Sequence, residues 1–471
     1  MFLFTKDLLD YVEKNNVKFI DWRFTDLVGR WHHVSHSTHS LDPGIFSSGV
    51  PFDSSSVPGW QPIEASDMLL MPDISTAFLD PFFAQSTLVV LCNVVSPYCT
   101  SDYSRDPRHT ARKAHQYMLS TALADKCFFG PEVEFFVFDD VRFDVSSHEA
   151  HYRVRTQESH HKGHGRFSMN HGYELPLKGG YMKMPPVDSL HDVRAEMLSM
   201  LQEVGVRPLL HHHEVASSQC EVGIHHDELV VCADNVQKCK YVLRNVASSY
   251  GKSLTFMPKP VLNSNGSGMH CHQSLWKNGR NIFANDGGAG LSETCLHYIG
   301  GIIAHGRALN AFTNPSTNSY KRLVPRFEAP VWLAYSHHNR SAAVRIPYVP
   351  NDNACAKRIE ARFPDALANP YLCFAAQLMA GLDGIKRKLD PVEVGGKSLY
   401  NLSDEESKHL VPVCAGLGEA LDALEGDRDF LLEGGVFTDD VIDAYIKLKR
   451  AELRDLEITP HPVEFLHYYS L

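Results

Sequence analysis

The sequence predicts an α+β protein of two domains, the smaller one at the N-terminus. Three observations carry that reading. The chain has 471 residues, more than one hydrophobic core usually organises. Strand-like and helix-like stretches alternate along it without a repeat of fixed period. A long helical pattern opening at Pro107 separates a first group of short strands from the rest. The domains are therefore set at residues 1–105 and 106–471.

Residues 5–15 (TKDLLDYVEKN) place Leu8, Leu9 and Val12 at helical spacing, with Thr5 as the N-cap. Lys18–Phe24 and Thr87–Asn93 read as strands broken off by Pro, Gly and Ser clusters. This small unit closes near Ser104–Pro107, and the helical pattern from Pro107 to Ala124 begins the second domain. Residues 144–171 are polar, rich in His and Ser and weakly patterned, so they read as a surface insertion whose His160, His161 and His164 stay on the surface. A helix from Thr438, its own N-cap, to about Leu456 precedes Thr-Pro-His-Pro and the apolar tail Phe465–Leu471. Such a tail is a liability in water, so it should dock onto its own body or onto another subunit.

Hydrophobic residues at 44% and charged residues at 21% are ordinary for a globular protein. A net charge of −11 argues against a nucleic-acid partner, because phosphate binding needs clustered Lys and Arg. Eleven cysteines without a C-x-x-C pair read as reduced, mostly buried thiols. The N-terminus meets charge at Lys6 and Asp7, and no stretch approaches the roughly 20 apolar residues of a membrane span. The expectation is a cytoplasmic protein with no membrane partner.

Three apparent motifs fail. Gly251-Lys252-Ser253 and Gly396-Lys397-Ser398 resemble the end of a phosphate-binding loop, but Val246 and Pro391 stand where its first glycine belongs. His213-Glu214 lacks the second histidine of a zinc-protease helix, with Ser217 in its place.

Other constellations hold together. Gly130–Phe138 (GPEVEFFVF) reads as a strand, in which Glu132 and Glu134 share one face and Val133 and Phe135 the other. By the same alternation His270, His272 and Ser274 share a face, and Glu360 lies between Arg358 and Arg362. Glu214 and Glu221, seven residues apart, would face opposite ways in one regular strand and need a turn to meet. Carboxylates with one imidazole and no thiolate favour a hard cation, Mg²⁺ or Mn²⁺. Arg322, Arg340, Arg345, Arg358 and Arg362 crowd into 320–365, and arginines opposite carboxylates suit a nucleotide meeting an anionic substrate. His211 to His213 are buttresses of that site.

Longer stretches carry a family resemblance: PFDSSSVPGW (51–60), KGGYMKMPPVDS (178–189), HHHEVASSQCEVG (211–223), FMPKPVLNSNGSGMHCHQSLW (256–276), NPSTNSYKRLVPRFEAPVWLAYSHHNRSAAVRIP (314–347) and RIEARFPD (358–365). In order, over nearly the whole length, the chain resembles bacterial type I glutamine synthetase. The resemblance implies a β-grasp-like N-terminal domain and a catalytic domain built on an open antiparallel β-barrel flanked by helices. It implies ATP-dependent joining of ammonia to glutamate in nitrogen metabolism, in a homododecamer of two stacked hexameric rings with sites between neighbours. Two or more Mg²⁺ or Mn²⁺ ions per site would be held by Glu134, Glu214 and Glu221 and by Glu132, His270 and Glu360. Glutamate would meet Asn265, Gly266, Arg322 and Arg362, and ATP would meet His272, Ser274, Arg340, Arg345 and Arg358. Asp53 from a neighbouring subunit and Glu328 would bind ammonium and take its proton, with Tyr181 and Ser56 completing the pocket.

The chain departs from the family pattern at Leu209, where a glutamate is usual, and near Cys355, where a lysine is expected. The stretch from Glu214 to Glu221 is one residue short. Tyr400, in Leu-Tyr-Asn-Leu-Ser, falls where one branch of the family carries an adenylylated tyrosine, which implies an adenylyltransferase partner. Two alternatives remain at this stage: ligation of glutamate to a larger amine such as a polyamine, and a non-catalytic assembly protein.

Overall fold

A computed structural model of the chain describes residues 2–98, 101–158, 173, 175–285, 290–394 and 398–469. The first part is a five-stranded sheet in the order Trp31–Ser37, Phe19–Thr25, Thr87–Val95, Asp67–Leu79, Val50–Asp53. Phe19–Thr25 and Thr87–Val95 pair in parallel and the other neighbours antiparallel. The helix Thr5–Lys14 buries Leu8 and Val12. Thr5 is not its cap: the helix begins one residue early, Phe4 takes the cap position, and no side chain caps it. Asp7 in the first turn complements the exposed N–H groups instead.

The expected long helix runs Pro107–Ser120 and stops short of Ala124. Ser120 and Thr121 hydroxyls donate back to the carbonyls of Tyr117 and Met118, and Ala122 turns to φ +54°. Asp106 caps the start, accepting from Arg108 N.

The second part holds a ten-stranded sheet. Its main path is Tyr335–His337, Val344–Ile346, Ile359–Ala361, Met269–Lys277, Lys126–Phe138, Gln219–Ile224, Pro208–His213. Only the first pair is parallel. The helices Leu229–Ser249 and Pro370–Arg387 pack behind it, their apolar faces fully buried. The result is an open half-barrel with helices on one side and a polar face on the other.

Most buried apolar residues of both parts form one continuous cluster, with Phe136, Phe138 and Ala216 making a small second one. Arg108 fastens the junction: it donates to Asp73 and Asn93 on the first sheet and doubly to Asp234 on the helix Leu229–Ser249. Tyr371 also donates to Asp234.

The insertion differs from expectation. Asp140–Val145 and Ala150–Arg155 form a hairpin with Phe143 opposite Tyr152; both strands alternate strictly, Val141, Phe143 and Val145 facing Val154, Tyr152 and Ala150, so the insertion is patterned at its start. His160, His161 and His164 lie outside the described residues. The helix Asp439–Glu457 is capped by Thr438, as expected. The tail then forms a short helix, Pro462–Tyr468, whose Phe465, Leu466 and Tyr468 remain exposed with the following Tyr469, so it does not dock on its own chain. The ten described cysteines are free, and all but Cys355 are buried. Among the described residues no helix is long and apolar enough to cross a membrane.

Candidate active site

The site lies on the polar face of the half-barrel, and strand register assembles it. Along Lys126–Phe138, Val133 and Phe135 enter the core, which leaves Glu132 and Glu134 on the opposite face. Register places His270 beside Glu132, Glu221 beside Glu134, His212 beside Glu221, and Glu360 beside His272. Glu214 follows the strand Pro208–His213 directly, and a turn returns the chain at Gln219, so Glu214 and Glu221 meet as the sequence required.

His270 Nδ1 lies 3.0 Å from Glu132 and 3.7 Å from Glu360, and its Nε2 lies 3.6 Å from Glu134. His272 Nε2 is 2.9 Å from Glu132. Two groups could each hold a metal ion: Glu132, His270 and Glu360, and His212, Glu214 and Glu221. Glu134 stands between them, accepting from Gly268 N and Gln219 Nε2 at 3.0 Å each. A third such group, Glu158, Asp188 and His213, is wholly buried. It is saturated by its own bonds, and His213 Nδ1 meets the carbonyl of Glu214.

The electrostatics are lopsided. Burial, then the neighbouring Glu134 and Glu221, push the Glu214 carboxyl up to about 10. Burial likewise raises Glu134. Against burial, hydrogen bonds from His270 and His272 hold Glu132 low, and Arg362, His272 and His270 hold Glu360 down at about 2. Carboxylates so crowded need protons or a cation. Oxygen donors with one imidazole suit a divalent ion of the Mg²⁺ or Mn²⁺ kind, so these residues fit such an ion.

Beside them opens a cleft of about 820 Å³ lined by Tyr181, Asn265, Gly266, Arg322, Glu328, Arg340, Arg362 and Tyr400, among others. Arg322 is buried and, among the described residues, donates only to the carbonyls of Arg362, Phe363 and Pro364. Its charge therefore faces the cleft without a hydrogen-bonded carboxylate among the described residues. A Cβ on Gly266 would collide with the carbonyl of Pro258, so only glycine fits there. Among the described residues Asn265 Oδ1, Arg345 Nε and Arg362 Nε are buried without hydrogen-bond partners, groups a ligand could satisfy.

On the far side of Glu132, Arg358 Nε approaches His272 Nδ1 at 3.3 Å, Arg345 donates to Glu360 at 2.5 Å, and Ser274 accepts from Trp276. Cys355 is exposed beyond them, and so is Leu209 at the other edge. Asp53 and Ser56 are not brought to the cleft within one chain. Asp53 lies exposed on the first sheet, where Ser55 and Ser56 donate to it and hold its carboxyl low. Sequence reasoning missed Gln219, which orients Glu134, and His212, treated only as a buttress. The alternation of His212 with Leu210 toward one face was a signal available for His212; nothing marked Gln219.

The comparisons with known proteins decide the family. Residues 16–97 match the model of the glutamine synthetase beta-Grasp domain, and residues 104–468 that of the glutamine synthetase catalytic domain. The chain belongs to the glutamine synthetase family. A glutamine synthetase of Bradyrhizobium diazoefficiens is 54% identical over 99% of both chains. A protein of Cupriavidus pinatubonensis named 3-hydroxylaminophenol mutase is 52% identical over 99% of both. The glutamine synthetase of Plasmodium falciparum, solved by electron cryomicroscopy, superimposes with a TM-score of 0.92 at 30% identity over 99% of both chains. The β-grasp unit and half-barrel described above are thus those of glutamine synthetases, and the chain is an enzyme of that class, a glutamate–ammonia ligase of nitrogen assimilation.

Proposed function

We propose that this site joins ammonia to the γ-carboxylate of glutamate by way of γ-glutamyl phosphate made from ATP. The observation that carries the reading is the crowded trio Glu134, Glu214 and Glu221, facing Glu132, His270 and Glu360 with unpartnered arginine donors alongside. One divalent ion would be held by Glu134, Glu214 and Glu221, with His212 at hand, and a second by Glu132, His270 and Glu360. Bound there, such ions neutralise charge on phosphoryl oxygens.

The chain's own residues do the rest. Arg322 binds an anionic group of glutamate, Gly266 lets it approach the backbone, and Asn265 Oδ1 accepts from its α-ammonium. Arg362 steadies the same substrate. Arg340, Arg345 and Arg358 spread the charge of the phosphoryl group in transfer, while His272 and Ser274 contact the nucleotide. Glu328 and the neighbouring subunit's Asp53 hold ammonium and take its proton, aided by Tyr181 and Ser56. The freed ammonia then attacks the acyl carbon and phosphate leaves.

The assembly proposed is the two-ringed dodecamer. It would supply Asp53 and Ser56 to a cleft they do not reach in one chain, and it would cover the exposed tail. The unit boundary is placed at 105/106, and the enzyme works in the cytoplasm. Tyr400, half-buried at the cleft with Arg322 and Arg362, is proposed as the target of an adenylyltransferase, where added AMP would obstruct entry.

The test is phosphate release and glutamine formation from Mg-ATP and glutamate, with ammonium and with a panel of organic amines. Stimulation by ammonium, lost in Glu328→Ala and in Asp53→Ala, is the expected result. Stimulation by an organic amine alone would replace the substrate, and no turnover with any amine in assembled protein would overturn the reading.

A further inference from the structure

The loop that carries Glu328 is held in an unfavourable shape. Arg326 at φ +74° and Glu328 at φ +60° both occupy the left-handed region, one on either side of Phe327. Residues other than glycine keep that conformation only where the surroundings impose it. The core does not impose it here, because Arg326 and Glu328 are exposed and Phe327 is only half-buried.

What touches the loop is a pair of lysines. Lys259 Nζ lies 3.7 Å and Lys178 Nζ 4.2 Å from the centroid of the Phe327 ring. Lys178 Nζ also donates to the carbonyl of Arg326 at 2.8 Å. Lys259 is itself rooted: its N–H donates to Asn318 Oδ1, its carbonyl accepts from Asn318 Nδ2, and its ammonium bonds the carbonyl of Ser264, next to Asn265. Two ammonium groups over one ring repel each other, and the negative face of the ring is what makes their approach favourable.

We propose that Phe327 is a positioning residue: its ring, held by the ammonium groups of Lys178 and Lys259, sets the loop that presents Glu328 to the cleft. The clamp ties three segments of the site together. Lys178 adjoins the Tyr181 turn, Lys259 adjoins the glutamate-binding Asn265 and Gly266, and Phe327 adjoins Glu328. A loosened loop admits water. Water then attacks the acyl carbon of γ-glutamyl phosphate in place of ammonia, the acyl–oxygen bond to phosphate breaks, and glutamate and phosphate are returned instead of glutamine and phosphate.

The inference rests on the proposed ligation. Its test measures phosphate released per glutamine formed, and the KM for ammonium, in assembled enzyme carrying Phe327→Leu, Phe327→Tyr or Lys259→Met. Two cation–π contacts at partly exposed positions correspond to about five- to thirtyfold in the equilibrium they bias. Phe327→Leu should raise the ammonium KM by that order and lift the phosphate-to-glutamine ratio above unity. Phe327→Tyr, which keeps the ring, should restore both, and Lys259→Met should give part of the defect. A ratio of unity with unchanged KM in Phe327→Leu, or equal losses in the Leu and Tyr variants, would overturn the clamp. Should Phe327→Leu fail to assemble, Lys259→Met and Lys178→Met are judged by the same criterion. Wild-type enzyme that forms no glutamine from ammonium would sink the proposed function instead, so the two failures are distinct.

Discussion

His270 and Glu132 sit directly opposite each other on neighbouring antiparallel strands, their Nδ1 and Oε2 atoms 3.0 Å apart. The pair shows how the site is made. Register alone brings an imidazole to a carboxylate that already has a second carboxylate, Glu134, on its own strand face. Extending the same face by one strand adds Glu221, and by another His212.

That crowding predicts proton release on metal binding. Without a cation Glu214 is pushed up to about 10, so it holds its proton at neutral pH, and a divalent ion must displace it. Titrating metal-free protein with Mg²⁺ or Mn²⁺ in buffers of different ionisation enthalpy should reveal about one proton released per site. Glu214→Gln should abolish that release, and chelation of the metal should abolish turnover.

Arg322 gives its hydrogen bonds to three backbone carbonyls and keeps its charge toward the cleft. Arg322→Lys retains the charge but not the planar fork. The KM for glutamate at saturating ATP should rise roughly 10- to 100-fold, the range of one lost charge-assisted bond.

Arg108 is buried against Asp234 and reaches Asp73 across the junction between the two sheets. Arg108→Met leaves a buried carboxylate unpaired, at a cost of about 3–5 kcal/mol. Denaturant unfolding followed by tryptophan fluorescence should show the loss, and an unshifted midpoint would contradict it.

Lys259 is pushed down to about 8 by burial and by the positive charges of Lys178 and Arg322. Its ammonium is therefore present below about pH 8 and lost above it, so the hold on Phe327 weakens as pH rises. The phosphate-to-glutamine ratio of the wild type should climb through that range. Lys259→Arg, whose guanidinium stays charged, should keep the ratio level.

Phe465, Leu466 and Tyr468 on the terminal helix, and Tyr469 just after it, are 60–81% exposed. An apolar helix in water needs a partner surface. If the proposed two-ringed assembly forms, deleting residues 459–471 should reduce it to single rings, as read by light scattering on a sizing column.

Much of this was legible in local pattern. Two-residue alternation put Glu132 with Glu134 and His270 with His272 on shared faces, because a strand's side-chain direction is set by its own backbone. Thr438 and its helix were readable because an N-cap and the helical spacing behind it are also local signals. The hairpin Asp140–Arg155 carries the same two-residue alternation, Val141, Phe143 and Val145 facing Val154, Tyr152 and Ala150, but it was masked because the polar stretch read as an insertion begins at 144, inside its first strand. Thr5 misled because a good capping residue can also sit inside a first turn, and packing of Leu8 and Val12 decided where the helix began.

The sequence by itself determined the residue types and their periodicity: two carboxylates on one face, two histidines on another, five arginines in one stretch. Through the long motifs it also carried the likeness to glutamine synthetases. Only the tertiary structure decided which faces meet. Gln219 reaches Glu134 across 85 positions of chain, and Lys178 reaches the backbone of Arg326 across 148. Such contacts arise from strand order and loop closure, which no local spacing encodes.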